Sequence, residues 1–372
     1  MRLLWLNWRD IRHPWAGGAE IHLDEIAKRL VRAGYDITVL SSHFKTLQSQ
    51  ERINGYEVIR VGDHEKYPLA AWRSLSHLIR DFDVVIEDIN KVPIYAPLLV
   101  GPAKKALAIV HHLNRRVYFE ELYSLLEASI AYILETMMPY VYTSLLGVPI
   151  IAASESTRKE LLELKADPSK VTVIYNGIDS DKYRAETNDP WRQKTAEPTI
   201  VHLGRLKKYK QPHHSLLAFS SVLRHFPNAR LVIVGEGEML EPLKQMVSLY
   251  KIPNVQFTGR VSEEKKIELL RRSWINLQTS QKEGWGLGVI EAASCGTPSV
   301  AYDVPGLRDS VRDNICGLIV PPKIKQLSSA VLSLLKNQEN LRSMSKTAMD
   351  YAMSFSWDKS AKKFGEILQK LS

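Results

Sequence analysis

Cysteines and long apolar runs are both scarce in this sequence. Two cysteines, Cys295 and Cys316, cannot form a disulfide framework or a four-ligand zinc site, so we expect a reducing compartment. A membrane-spanning helix needs about 20 apolar residues. The longest stretch without charge, residues 136–154, is interrupted by two prolines and a glycine. Leu3–Trp8 predicts a buried strand rather than a signal peptide. We therefore expect a cytoplasmic protein without a transmembrane segment.

Positive charge is in excess, and it is unevenly distributed along the chain. The formal net charge is +9; residues 1–185 contain 23 Lys+Arg and 23 Asp+Glu, and residues 186–372 contain 27 and 18. This bias favours an anionic ligand in the second half. The sequence has no zinc-finger spacing, aromatic–basic ribonucleoprotein motif or basic heptad pattern, so we expect no nucleic-acid partner.

The pattern of short apolar runs and amphipathic stretches predicts an α/β fold with two domains. Length and a 45% hydrophobic content favour two domains over one. Strands alternate with helices across residues 1–185, and the alternation repeats across residues 199–355. The polar segment 186–198 is interpreted as a linker. We expect two doubly wound, Rossmann-like domains that face each other across a ligand-binding cleft.

A basic loop follows the first predicted strand of the second half. The sequence GRLKKYK places Arg205, Lys207, Lys208 and Lys210 at the carboxyl edge of the sheet, where cations can bind a diphosphate. The alternative is a solvated basic loop.

Glycines follow two predicted strands and allow the main chain to approach a ligand. Gly17 and Gly18 lie between the first strand and the first helix, where a glycine pair is also typical of a simple turn. Gly235 and Gly237 follow LVIV in a pattern similar to a dinucleotide fingerprint. Leu240 stands where that fingerprint has its third small residue, which argues against a nicotinamide-dependent enzyme.

The segment EGWGLGVIE, from Glu283 to Glu291, combines two carboxylates with a glycine-rich turn. Gly286 and Gly288 leave backbone N–H groups bare where a helix is predicted to begin, and a helix N-terminus suits a phosphate. Glu291 then lies about two turns into the helix, where it can accept hydrogen bonds from ribose hydroxyls. The alternative is a surface carboxylate, although its neighbours are apolar.

Together these motifs resemble glycosyltransferase family 4. The resemblance rests on the glycine pair, GRL with Lys210 five residues after Arg205, VGEG, TGRVSEEKKIELLRRS, EGWGLGVIEAASCGTPSVA and GLIVPP. It covers nearly the whole chain and implies the GT-B fold. It also implies a retaining, metal-independent transfer of a hexose from a UDP- or GDP-sugar to an acceptor hydroxyl, with the C-terminal helix 357–371 packed back on the first domain.

The resemblance assigns roles to individual residues. It implies that the nucleotide sugar is a substrate, that no cofactor is needed, and that the acceptor is a glycan or a lipid-linked molecule of cell-surface synthesis. The implied catalytic residues are Glu283, His111, Arg205 and Lys210. The implied donor-binding residues are Gly17, Gly18, Arg205, Lys210, Gly235, Val261, Gly286, Leu287, Gly288 and the ribose-binding Glu291. The neighbouring His112 is an alternative to His111, and Arg260 joins Val261 at the turn near the base.

Two departures from the family pattern concern the loops rather than the charged positions. Gln211-Pro212 stands where the family often has a glycine after the lysine, and Thr279-Ser280 stands where Pro-Ser is common.

Two other functions are kept as alternatives. They are an NAD(P)-dependent oxidoreductase and a non-catalytic nucleotide-sugar binder.

Two further features have a structural and a functional interpretation. The D-x-D pairs Asp81/Asp83 and Asp179/Asp181 could hold a metal ion, but one precedes a strand and the other opens the linker, so we interpret both as structural.

Residues 117–146 form an apolar helical region with many aromatic and methionine side chains, flanked by Lys104-Lys105 and Arg115-Arg116. We interpret this region as a core helix because the net charge of the domain is zero. The alternative is contact with the inner face of an anionic membrane.

Overall fold

The computed structural model describes residues 1–101, 105–122, 124–187 and 189–371. Lys104 and Tyr123 lie outside these ranges. The chain divides into two compact units. The first is Met1–Gly177 together with the segment from Trp357, and the second is Ile178–Ser356. The division falls after Gly177, whereas the sequence pattern predicts a boundary at residue 185.

The described part of the first unit forms one sheet of eight strands in the order β3-β4-β2-β1-β5-β6-β7-β8. All neighbouring strands are parallel except β3 and β4, which pair antiparallel at one edge. The strands are β1 (Arg2–Leu6), β2 (Asp36–Ser41), β3 (Gln50–Ile53), β4 (Tyr56–Arg60), β5 (Val84–Ile89), β6 (Lys105–Val110), β7 (Ile150–Ala152) and β8 (Val171–Val173).

In the second unit, the described residues form a parallel sheet of six strands in the order β11-β10-β9-β12-β13-β14. The strands are β9 (Thr199–Leu203), β10 (Arg230–Val234), β11 (Val255–Gly259), β12 (Ile275–Gln278), β13 (Ser299–Tyr302) and β14 (Gly317–Val320). The edge strands β3 and β14 were not predicted. Both are four residues long, too short to show a clear period, and β3 is also mostly polar.

Helices connect the strands of both sheets, as parallel pairing requires. In chain order they are α1 (Gly18–Arg32), α2 (Tyr67–Leu78), α3 (Pro97–Val100), α4 (Tyr118–Glu121), α5 (Leu125–Tyr140), α6 (Glu155–Glu163), α7 (Ser180–Tyr183), α8 (Pro212–Leu223), α9 (Leu240–Leu249), α10 (Glu263–Arg272), α11 (Leu287–Ser294), α12 (Leu307–Ser310), α13 (Ile324–Lys336), α14 (Gln338–Ala352) and α15 (Trp357–Leu371). None of the described helices is both long and apolar enough to cross a bilayer.

The C-terminal helix α15 belongs to the first unit. Its apolar face buries Trp357, Phe364 and Leu368. The Phe364 ring stacks on the Trp5 indole of β1, with ring centroids 5.2 Å apart. Arg29 of α1 forms an ion pair with Asp358 at 2.5 Å. The helix is therefore attached to the first unit by buried aromatic packing as well as by surface charge.

The segment predicted as a linker packs within the second unit. Trp191 contacts the Trp274 ring with centroids 4.8 Å apart, and the Trp274 Nε1–H group donates to the Thr195 carbonyl oxygen at 2.9 Å. Tyr183, just before this segment, is buried. Trp191 therefore anchors the described part of this segment, residues 186–187 and 189–198, within the second unit.

Each sheet grows in two directions from its first strand. In the first unit β2 lies on one side of β1 and β5 on the other; in the second unit β10 and β12 lie on the two sides of β9. The loops that leave neighbouring strands therefore diverge at the carboxyl ends of β1/β5 and of β9/β12. Such a switch point forms a crevice in which ligands of doubly wound sheets bind.

The interpretation of residues 117–146 as a core helix is only partly correct. Tyr118, Met138 and Tyr142 are buried, but one face of α5 is exposed. We call this face the α5 stripe; it consists of Leu126, Ile130, Ile133, Met137 and Tyr140. These five side chains and that of the neighbouring Leu125 are 46–77% exposed. Their helical spacing places them on one side, whereas the sequence pattern alone is apolar all round and predicts complete burial.

Candidate functional site

A buried ion pair lies at the switch point of the second sheet. Lys210 follows β9 and Glu283 follows β12, and the Lys210 Nζ donates to Glu283 Oε1, which also accepts from the Ser280 hydroxyl at 2.6 Å. Burial lowers the pKa of Lys210, but the Glu283 carboxylate outweighs burial and the net pKa is raised. Lys210 is therefore charged at all pH values near neutral.

Tyr209 holds the two predicted diphosphate-binding cations near each other. Its hydroxyl is 3.2 Å from an Arg205 guanidinium nitrogen, and the Lys210 Nζ lies 5.1 Å from its ring centroid. Tyr209 is itself buried, whereas Arg205 is exposed. The tyrosine was not singled out in the sequence because an aromatic residue between lysines has no distinctive pattern.

The two departures from the family pattern lie in contact with each other. Gln211 adopts the left-handed conformation, with φ +48°, at the position where glycine is often found. The Thr279 hydroxyl lies 2.9 Å from both the Lys210 and the Gln211 carbonyl oxygens. Pro212 occupies the first turn of α8, where its missing N–H costs nothing. Thr279 therefore stabilises the strained turn that carries Lys210.

Helix α11 begins directly after the ion pair. Gly286 precedes it with φ +81°, and a Cβ at this position would lie 2.9 Å from the Ser310 hydroxyl. The Val289 N–H donates to the Gly286 carbonyl oxygen at 2.9 Å, and the positive end of the helix dipole adds to the charge of Lys210. Leu287 and Gly288 belong to this first turn. The arrangement can stabilise negative charge on a phosphate.

Glu291 is buried and takes part in a network of four side chains. Its Oε1 accepts from the Tyr183 hydroxyl at 3.0 Å and from the Lys266 Nζ at 2.9 Å. Lys266 also forms an ion pair with Glu263 at 3.0 Å, and the Tyr183 hydroxyl is within hydrogen-bond distance of Glu263 Oε1. Burial lowers the pKa of Lys266, but Glu291 and Glu263 outweigh it and raise the net pKa. Glu291 is therefore not a free surface carboxylate.

The loops after β10 and β11 are joined by hydrogen bonds. The Gly235 N–H donates to the Gly259 carbonyl oxygen at 2.9 Å, and the Glu236 carboxylate accepts from the Arg260 N–H at 3.3 Å. Gly235 has φ +135°, and a Cβ here would lie 1.9 Å from the Gly204 carbonyl oxygen. Val261 follows Arg260 and is partly exposed. The predicted base-binding turn is thus held close to the glycine loop.

In the first unit, the predicted glycine pair begins α1. Gly17 is extended and occupies the N-cap position, and its N–H donates to Glu20 Oε2 at 2.6 Å. Glu20 is buried and forms an ion pair with Arg9 at 2.8 Å. Gly18 is the first residue of the helix. The buried ion pair orients the loop between β1 and α1.

His111 follows β6 and is buried against Asp88 of β5, with 2.8 Å between Nε2 and Oδ1. Burial lowers the pKa of His111, but the Asp88 carboxylate outweighs it and the net pKa is raised. The other Asp88 oxygen accepts from Trp5 Nε1 at 3.1 Å. His22 of α1 meets the His111 ring edge-on at 5.1 Å. His112 is partly exposed, whereas His111 is buried against the Asp88 carboxylate.

The two D-x-D pairs are engaged in local structure. Asp83 Oδ2 accepts from the Arg2 N–H at 2.7 Å, at the amino end of the first sheet, and Asp179 caps α7. Among the residues that the structure describes, no group of three or more His, Cys, Asp or Glu side chains is arranged to hold a metal ion.

Two known families match adjacent parts of the chain. Residues 16–182 match the family described as Glycosyltransferase Family 4, and residues 184–350 match the one described as Glycosyl transferases group 1. An uncharacterized glycosyltransferase of Methanocaldococcus jannaschii is 26% identical over 96% of this chain and 96% of its own length. The D-inositol 3-phosphate glycosyltransferase of Segniliparus rotundus is 31% identical over 53% of this chain and 46% of its own length.

Solved structures share the fold of the whole chain. Sucrose-phosphate synthase from Thermosynechococcus elongatus superposes with a TM-score of 0.82 and 18% identity, covering 100% of this chain and 98% of the other. The Anabaena protein HepE, crystallised with UDP-glucose, gives a TM-score of 0.78 and 19% identity with 100% of both chains covered. These similarities establish the GT-B fold.

The close approach of main chain at Gly235 generates a stability prediction. Gly235→Ala places a methyl group within 1.9 Å of the Gly204 carbonyl oxygen in a left-handed conformation. Backbone must shift, and we expect a loss of about 3 kcal/mol or more in unfolding free energy. Urea denaturation of the purified variant and of the unchanged protein measures this difference in unfolding free energy. Gly204→Ala is the matched control: its φ of +158° is also positive, but its added Cβ meets no atom within 4 Å, so the difference between the two variants isolates the steric contact. Equal stability of the two variants would contradict the geometry of this loop.

Proposed function

Because the chain belongs to the family 4, group 1 glycosyltransferases, we propose that it transfers a hexose from a UDP- or GDP-sugar to an acceptor hydroxyl with retention of configuration and without a metal ion. The observation that carries this proposal is the buried Lys210–Glu283 pair at the switch point of the second sheet, beside the beginning of α11. Cofactors are not required in this proposal, since the nucleotide sugar is a substrate.

Charge on the leaving diphosphate is the main problem that such a reaction must solve. Lys210 and Arg205 supply two cations, and the first turn of α11 supplies the positive end of the helix dipole. Preorganised charges of this kind stabilise a transition state without reorganising during the reaction. This set supports the assignment of diphosphate binding to the second unit. It also supports a mechanism in which no divalent cation bridges the phosphates.

Glu283 is better suited to electrostatic positioning than to nucleophilic attack. Its Oε1 is held by Lys210 and by the Ser280 hydroxyl. Without a placed carboxylate nucleophile, we favour attack of the acceptor hydroxyl on the same face from which the diphosphate leaves. The leaving phosphate then takes the proton of that hydroxyl. His111, whose Nε2 is engaged by Asp88, is assigned to the donor-sugar pocket.

Nucleotide binding is assigned to loops of the second unit. Glu291 accepts hydrogen bonds from the ribose hydroxyls, and the loops that carry Gly235 and Val261 lie next to the nucleotide base. The structurally similar HepE was crystallised with UDP-glucose, and this supports a nucleotide-sugar donor. Membership of the family sets the oxidoreductase alternative aside. The lysine, arginine and glutamates of the site argue against a binder without activity.

The acceptor is proposed to be a glycan or a lipid-linked molecule of cell-surface synthesis, reached at the inner face of the membrane. The α5 stripe supports this location because its five large apolar side chains are exposed on one helical face. Arg116, also exposed, precedes the stripe. A face of this kind can lie in the interface of a bilayer without crossing it.

Lys210 is the residue whose removal most directly tests the proposed chemistry. Lys210→Ala should lower kcat by about 10²- to 10³-fold, the effect of removing one preorganised donor to a developing charge. Donor turnover under saturating UDP- or GDP-sugar measures it, with thermal unfolding as a check of the fold. The control is Lys244→Ala, an exposed lysine of α9 in the same unit that pairs with Glu241. Normal turnover of the Lys210 variant would overturn the proposal.

Nucleotide choice and metal independence can be tested by calorimetric titration with UDP, GDP, ADP and NAD, each with and without EDTA. We expect UDP or GDP to bind with a Kd that EDTA leaves unchanged, since Lys210, Arg205 and α11 supply the charge. Abolition of binding by EDTA would contradict metal independence, and binding of NAD alone would contradict the transferase. Retention is then checked by proton NMR of the first-formed glycoside, whose anomeric coupling should match that of the donor.

Contact with a membrane is tested by co-sedimentation with vesicles of zwitterionic and of anionic phospholipid. We expect binding to anionic vesicles. The double variant Ile130→Ser, Ile133→Ser should bind at least about tenfold more weakly, since each buried aliphatic side chain contributes on the order of 1.5 kcal/mol. Leu249→Ser, which changes an exposed leucine of α9, is the control. Failure of the unchanged protein to bind either vesicle would overturn this location.

A further inference from the structure

The switch point of the first sheet carries a group of aromatic side chains that the proposed function does not use. Trp8 follows β1 and Lys91 follows β5, the two strands between which the sheet changes direction. The Lys91 Nζ lies 5.0 Å from the Trp8 ring centroid and contacts His64. This is the position in a doubly wound sheet where a ligand binds.

Five rings from loops after β1, β2 and β4 form what we call the aromatic cluster: Trp8, His13, Trp15, Phe44 and His64. Ring centroids are 5.4 Å apart for His13 and Trp15, 5.9 Å for Trp15 and Phe44, and 5.6 Å for Trp15 and His64. Trp8 and His64 are 5.5 Å apart, and His13 and Phe44 are 5.2 Å apart. Contacts at these distances stabilise a fixed arrangement of rings.

Trp15 differs from the other members because it is 54% exposed. Single exposed apolar residues are common and need no explanation. Trp15, however, is held in place from three sides by the rings of His13, Phe44 and His64, and its backbone N–H donates to His13 Nδ1 at 3.1 Å. Its indole is therefore an oriented apolar surface that faces solvent at the crevice of the sheet. An oriented surface binds a ligand with little loss of conformational entropy.

Two arginines at this edge are neutralised by carboxylates within the first unit. Arg9 pairs with Glu20 at 2.8 Å, and Arg60 pairs with Asp10 at 2.7 Å. Burial lowers the pKa of His13 to about 4 and that of His64 to about 3, so both imidazoles are neutral near pH 7. The rings around Trp15 are therefore uncharged, with the Lys91 ammonium beside His64 as a nearby cation, and these surroundings suit a ligand that has both hydroxyls and an apolar face.

One polar atom of the cluster supports a ligand of this kind. His13 is 1% exposed, and its Nδ1 accepts the Trp15 N–H, so the neutral ring carries its hydrogen on Nε2. Among the described residues, this buried Nε2 has no hydrogen-bond partner. A buried donor without a partner is costly unless water or a ligand satisfies it.

We propose that Trp15 is the stacking residue of the acceptor subsite, and that the acceptor presents a pyranose ring to it. A pyranose has hydroxyls around its rim and a face of C–H groups, and these C–H groups are attracted to the negative face of an indole. The inference rests on the proposed glycosyl transfer and narrows it: the protein extends an existing sugar rather than glycosylating a bare lipid alcohol. His13, Phe44 and His64 are positioning residues that orient the indole.

The inference can be tested by fluorine NMR of the full chain labelled with 5-fluorotryptophan. The Trp15 resonance is assigned with Trp15→Phe, and the buried Trp5 is an internal reference. The probes are the methyl pyranosides of glucose, galactose and mannose, with myo-inositol as a cyclitol and glycerol as an acyclic polyol. We expect at least one pyranoside to shift the Trp15 resonance saturably, with Kd of about 1 mM, while the Trp5 resonance stays in place.

A second variant tests whether the fixed orientation of the Trp15 indole, and not its exposure alone, contributes to binding of the pyranoside. Phe44→Ala should raise the Kd of that pyranoside about three- to tenfold because Trp15 loses a ring that fixes it. Phe119→Ala, which changes a half-exposed phenylalanine of α4 that contacts Tyr132 outside the cluster, should leave the Kd unchanged.

The outcomes are distinct from those of the transferase assays, since no donor or turnover is involved. A shift of Trp15 by glycerol as large as that by the pyranosides, a shift by inositol alone, or no shift by any pyranoside would each overturn the inference. Failure of transferase activity with a normal pyranoside response at Trp15 would leave the subsite intact and count against the proposed function instead.

Discussion

Both units depend on one constraint of parallel sheets, which is that the chain must leave each strand at the same edge. Because each sheet grows in two directions from its first strand, the loops after β1/β5 and after β9/β12 separate and leave a crevice. Lys210 and Glu283 lie on such loops in the second unit, and Trp8 and Lys91 lie on such loops in the first. The central strands β1, β5, β9 and β12 supply rigidity, since they are buried on both faces, and the loops supply chemistry.

Buried ionic contacts are concentrated at these edges in both units. Lys210–Glu283, Lys266–Glu291, Arg9–Glu20 and Arg60–Asp10 are all short pairs with little exposed side-chain surface. Such pairs contribute little net stability, but the loss of one partner leaves a costly buried charge. Their value here is geometric. Three of them hold a loop that has no regular hydrogen-bond ladder, and Lys266–Glu291 joins α10 to α11.

Much of the architecture was predictable from local patterns. The continuous apolar runs of β1, β5 and β9 predict buried parallel strands, and the spacing within residues 283–291 predicts a helix that begins at a glycine-rich turn. Lys210 and Glu283 were both named, but their direct contact joins residues 73 positions apart and has no local signal. The same holds for Tyr183, Lys266 and Asp88, which act through partners distant in the sequence. The exposure of α5 also depends on which neighbours cover it, and this is a property of the tertiary structure.

The first unit is discontinuous in sequence, and this affects the order in which the protein is completed during translation. Asp88, the partner of His111, also accepts a hydrogen bond from the Trp5 indole, and that indole stacks on Phe364 of the last helix. The ribosome makes residues 178–356, the whole second unit, before it makes Phe364. The unit whose synthesis begins first is therefore the last to finish folding, and the surroundings of His111 are complete only after α15 has emerged from the ribosome.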